Sequence, residues 1–146
     1  MPPITRWLGY AGLLPQIAMV AVLLQGRLEE RYVALSFAYA YAALILSFLG
    51  GLWWGLAARV EQSPSWLWIM AVVPVLVALA SASPWAIGEP WPGPSLILLG
   101  IALIASLAVD YVLARDGMAP PGWLALRLPL SLGLGTLTIV AAYSDA

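Results

Sequence analysis

Two residue types that carry most metal and redox chemistry are missing: the chain has no cysteine and no histidine. Their absence removes thiolate nucleophiles, disulfides, haem ligation through His or Cys, and most zinc sites. Charge is scarce as well. Only 9% of the 146 residues are charged, against about 25% in soluble domains, and the mean hydropathy of +0.95 argues against a soluble fold. The six basic residues are all Arg, and the net charge of −1 leaves no basic surface for nucleic acid. No low-complexity tail, linker or repeat of ~20 to 50 residues divides the chain, so residues 1–146 read as one transmembrane domain.

What is present is long apolar runs. The central one, residues 32–58, carries no charge between Arg31 and Arg59. At 1.5 Å per residue its roughly 27 residues would extend about 40 Å as a helix, more than the ~30 Å hydrocarbon core, so it must tilt or protrude. Ala43, Ser47, Gly51 and Gly55 recur every fourth residue along it and put small side chains on one face. Close packing of helices inside a membrane uses such rows. We therefore expect the small faces of the second and fifth spans, Ser47-Gly51-Gly55 and Ser131-Gly135, to meet.

The other spans read as residues 7–24, with Pro15 and Gln16 inside; 66–83, with Pro74; 95–114, with Asp110; and 123–143, with Arg127 and Pro129. No small-residue cleavage site follows the first run, so it reads as a retained span. Between the third and fourth spans, SASPWAIGEPWPGPS is too rich in Pro and Gly to continue a helix and reads as an ordered turn. The fold expected is an all-α bundle of five transmembrane helices. All eight Trp fall near the ends of these runs, where indoles form interfacial belts. Arg6, Arg59, Arg115 and Arg127 lie at one end of the bundle, against Arg27 and Arg31 at the other. That excess puts the N-terminus in the cytoplasm and the C-terminus outside.

Few residues carry chemistry. Asp110 lies about four residues before the end of the fourth span and Arg127 about four after the start of the fifth, at one depth ~6 Å below the surface. An unpaired charge there costs a few kcal/mol, so the two are expected to pair. The pair serves either as a proton or substrate site or as a clamp between two helices, and the clamp is the simpler reading. Gln16 with Tyr39, Tyr41 and Ser47 would line a polar interior, or each would make its own interhelical hydrogen bond. Trp53 and Trp54 read as belt residues before they read as a stacking platform. Ser83 and Ser131 have no His to activate them, and the glycines of FLGGLWWG and LGLGT lie inside apolar helices, where they cannot cradle a phosphate.

The runs LGYAGLLPQIA, AYAYAALILSFLGGLWWG, VDYVLARDG and WLALRLPLS, in this order, resemble the domain of unknown function 3429 family of small multi-span proteins. Gly12, Pro15, Gly50, Gly51, Trp54, Gly55, Asp110 and Arg127 match positions of its pattern. Trp53 departs from it: relatives often carry a basic or imidazole side chain there, and its replacement weakens any proton chemistry in the central motif. The resemblance implies a bacterial inner membrane or mitochondrial membranes and brings no established activity. The expected function is a non-enzymatic integral protein of the cell inner membrane, without a cofactor, that binds membrane lipid, a protein partner or further copies of itself. The alternatives are a small transporter or channel acting as an oligomer, and a binder of apolar or porphyrin-like ligands by analogy with five-span Trp-rich sensory proteins.

Overall fold

The computed structural model describes residues 2–144. The chain is 83% helix, without a strand among the described residues, and five of its helical segments are long and apolar enough to cross a membrane. The first, Pro3–Leu24, consists of α1 (Pro3–Ala11) and α2 (Leu14–Leu24). The second is α3 (Leu28–Arg59), and the third joins α4 (Ser65–Ser81) to a single turn, α5 (Ser83–Ala86). α6 (Gly93–Arg115) and α7 (Trp123–Ser144) complete the set. α3 stands at the centre, packed on α2, α4, α6 and α7, while α6 and α7 share the most extensive interface.

The break between α1 and α2 follows from Pro15. A helical proline clashes with the carbonyl four residues earlier, here that of Ala11, which is where α1 ends. Pro15 itself sits in the first turn of α2, where a missing N–H costs nothing. Tyr41 Oη donates to the Gly12 carbonyl, one of the acceptors that the break exposes. At the far end of α6 the chain reverses through Gly117, whose φ of 71° suits glycine. Met118 N–H donates to Leu113 O at 2.9 Å and Gly117 N–H to Ala114 O at 3.3 Å, the paired bonds of a Schellman motif. This tight stop sets α7 directly beside α6. The Pro-rich connection after α4 holds one helical turn, α5, because Pro84 falls in its first turn, where proline is tolerated.

The packing face of α3 differs from the expected one. Nothing lies within 4 Å of a Cβ built on Gly51 or Gly55, and both glycines are exposed. The buried face instead runs through Leu46, Leu49, Gly50, Trp53 and Ala57, one residue out of phase with the Ser47-Gly51-Gly55 row. One residue turns a helix by 100°, enough to move the row to the surface. Gly50 is the close contact: a Cβ there would strike the Ala71 carbonyl oxygen of α4 and stand 3.4 Å from Pro74 Cγ. Gly135 does face another helix, but that helix is α6. A Cβ on Gly135 would lie 2.9 Å from Gly100 O, and one on Gly100 would lie 2.9 Å from Gly135 O.

Candidate functional site

α6 presents Ser106 and Asp110 one turn apart, and α7 presents Trp123, Arg127 and Ser131 at the same spacing, so the two rows face each other where the helices pack. Asp110 is 0% exposed and Arg127 is 5% exposed. Arg127 Nε donates to Asp110 Oδ2 at 3.0 Å. The other carboxylate oxygen, Oδ1, accepts from the indole N–H groups of Trp123 and of Trp53, each at 3.0 Å. Arg127 Nη2 donates to Ser106 Oγ at 3.5 Å and to Ser131 Oγ. A residue from each of α3, α6 and α7 thus meets at one carboxylate.

Burying two ions costs several kcal/mol each unless the attraction is supported by further hydrogen bonds. Asp110 has three donors, and bonds to a charged group contribute about 1.5–3 kcal/mol apiece. Ser106 Oγ also donates to Leu103 O at 2.6 Å. Its hydroxyl is thereby committed to its own helix, and the only carboxylate in the cluster is occupied by donors. Nothing here activates a nucleophile. No group of three or more His, Cys, Asp or Glu side chains suited to a metal occurs among the described residues.

Trp53 is the residue that sequence reasoning misplaced. It is 2% exposed and does not belong to an interfacial belt. Its neighbour Trp54 points outward and meets Trp68 edge-on, with ring centroids 4.5 Å apart.

The expected polar interior of Gln16, Tyr39, Tyr41 and Ser47 does not assemble. Gln16, fully buried, donates through Nε2 to Ala38 O at 3.1 Å and to Thr138 Oγ1 at 2.9 Å, tying α2 to α3 and α7. Tyr39 Oη pairs with Ser81 Oγ at 2.7 Å on α4, and its ring meets Trp91 edge-on at 5.0 Å. Tyr41 turns to Gly12, and Ser47 Oγ bonds back to Ala43 O at 2.9 Å. The four groups bond to separate partners and not to one another, and Gln16 Oε1 has none among the described residues. Ser131, expected in a small packing face, accepts from Arg127 instead.

Two grooves flank the Asp110 cluster. One, about 390 Å³, runs between α1, α3 and α7 and is lined by Leu8, Gly12, Ile45, Leu49, Arg127 and Leu134 among others. The other, about 150 Å³, lies between α3, α4 and α6 and reaches Trp53, Pro74 and Ser106.

Residues 1–143 match the family described as "Protein of unknown function (DUF3429)". The chain is 36% identical over 149 aligned positions to "Transmembrane protein 69" of Xenopus tropicalis, a match that takes in 98% of this chain and 52% of that protein. It therefore spans about half the length of the curated relative it matches. No solved structure matches it. With the match extending from the first to the last of the five membrane-crossing segments, the chain belongs to the DUF3429 family of multi-pass membrane proteins.

Proposed function

We propose that this chain is a non-enzymatic protein of the cell inner membrane that binds membrane lipid or a partner protein. In this reading the Asp110–Arg127 pair is a clamp rather than a proton path. The observation that carries it is that both oxygens of Asp110 are engaged by donors. Its two oxygens accept from Trp53, Trp123 and Arg127 at 3.0 Å each, and a proton carrier would need a carboxylate free to take up and release its proton. Discontinuous helices around a charge at the bilayer centre, which transporters use, do not occur at this cluster, whose charges lie within about two turns of the helix ends. Arg6, Arg59, Arg115 and Arg127 at one end, against Arg27 and Arg31 at the other, support a cytoplasmic N-terminus and a periplasmic C-terminus.

The test is reconstitution of the purified chain in proteoliposomes loaded with pH- and potential-sensitive dyes. No proton or ion flux above that of empty vesicles is expected. Flux that disappears in Asp110→Asn would turn the clamp into a conduction site and overturn the reading.

A further inference from the structure

Arg127 has donors left over. Nε is used by Asp110 and Nη2 by Ser106 and Ser131, while Nη1 has no hydrogen-bond partner among the described residues. Nor is Nη1 among the buried polar atoms left without a partner, and the residue forms part of the wall of the α1–α3–α7 groove. Arg127, 5% exposed, thus lines the groove while its Nη1 is neither hydrogen-bonded nor fully buried. A donor held away from bulk water favours an acceptor in the groove beside it.

The chemistry of that acceptor is constrained in three ways. Asp110 at 3.0 Å cancels the charge of Arg127, so an anion entering the groove would be desolvated without a net attraction; a neutral oxygen suits the site. Arg127 lies four residues into α7, about 6 Å along the helix, near the boundary between the interfacial layer and the ~30 Å hydrocarbon core, the depth of acyl ester groups. Beyond Arg127 the wall is apolar, with Leu130 and Leu134 on α7 and Ile45 and Leu49 on α3. The volume of about 390 Å³ falls within the ~300–1,000 Å³ of ligand sites.

We propose that this groove binds one acyl ester of a glycerophospholipid, the ester carbonyl accepting from Arg127 Nη1 and the acyl chain lying against Ile45, Leu49 and Leu134. The inference rests on the reading of the chain as a lipid or partner binder and names the lipid contact.

The experiment compares diacyl phosphatidylethanolamine with its dialkyl ether analogue, which keeps headgroup and chains but lacks both carbonyls. Retention on the full chain in mild detergent is read by native mass spectrometry. The ester is expected to be retained about tenfold better, the effect of one hydrogen bond at the upper end of the usual range. Leu8→Trp and Ile45→Trp, which fill the groove, should abolish retention of the ester, and Leu79→Trp on the exposed side of α4 should not. Where Ile45→Trp fails to fold, Leu8→Trp at a position 67% exposed keeps the test intact. In nanodiscs, a diazirine on the acyl chain should label Ile45, Leu49 and Leu134. Equal retention of ester and ether, or labelling spread evenly over the outward faces of α3 and α4, would mean ordinary boundary lipid and overturn the proposal. Ion flux in proteoliposomes would defeat the parent reading while leaving the ester-to-ether ratio untouched, so the two failures are distinguishable.

Discussion

Gly100 and Gly135 face each other across the α6–α7 interface, each so near the other's backbone that a Cβ on either would stand 2.9 Å from the opposite carbonyl oxygen. Ile139 and Ile104 close over the same spots, each with Cγ1 2.5 Å from the built Cβ. The two helices of the largest interface thus touch backbone to backbone, the arrangement by which membrane helices gain van der Waals contact without a hydrophobic driving force.

Gly100→Ala and Gly135→Ala should therefore each destabilise the protein by about 1–3 kcal/mol, as overpacking does in tight cores. Gly51→Ala and Gly55→Ala, with nothing within 4 Å, should cost no more than about 1 kcal/mol. Thermal unfolding in detergent measures all four. A larger loss at Gly51 than at Gly135 would mean that the small row of α3 is covered in the membrane by something outside this chain.

Asp110→Asn and Arg127→Gln should each cost about 3–5 kcal/mol, because each leaves a buried charge without its partner. The double variant should recover a good part of that loss. Strict additivity in the thermodynamic cycle would show that the two charges do not act on each other.

Trp53→Phe removes one of the two indole donors to Asp110 Oδ1 and should lower stability by about 1.5–3 kcal/mol. Trp54→Phe, next to it but half-exposed, should change stability by less than about 1 kcal/mol. The same detergent melting curves decide the comparison, and equal effects of the two substitutions would argue against the Trp53–Asp110 bond.

Thr138→Val takes away one of the two acceptors of Gln16 Nε2 and leaves Ala38 O in place. The loss should be about 0.5–2 kcal/mol, the usual size of an interhelical hydrogen bond in a membrane. Gln16→Leu removes both Nε2 bonds and should cost more than Thr138→Val, although the unpartnered Oε1 that it also removes offsets part of the loss. A loss above about 4 kcal/mol at Thr138 would point to a larger polar network around Gln16 than the pairs described.

A reporter fused after Ala146 should report the periplasm and one fused before Met1 the cytoplasm, the orientation that the arginine excess favours. Both reporters on one side would remove a crossing, and the shortest continuous span helix after the first, α4, would be the segment to re-examine.

The sequence carried some of this architecture and concealed the rest for identifiable reasons. Runs without charge reveal membrane helices directly, because length and hydropathy are set by the bilayer itself. The depth argument brought Asp110 and Arg127 together, since two lone charges inside a membrane have few other partners, and in the structure they lie 3.0 Å apart. Helix phase was not legible. Where nearly every residue of α3 is apolar, no polar stripe marks the outer face, so Gly51 and Gly55 looked as suitable for packing as Gly50 and Ala57. Gly100, in the run LILLGIAL, had no small neighbour at four-residue spacing to draw attention to it. Trp53 was hidden by its type: an indole near a helix end suits an interface, and only the distance to Asp110 distinguishes a buried donor from a belt residue.

The break at Gly12 and Leu13 divides the first crossing into two parts of unequal tenure. α2 buries Gln16, Val20 and Leu23, whereas α1 buries none of its residues and packs chiefly on α7. Local opening costs little where few contacts are lost. Amide protons of α1 should consequently exchange with deuterium ahead of those of α2, α3 and α7, although all four belong to membrane-crossing segments. α1 would then behave as a separable cooperative unit, released while the rest of the helical framework stays closed.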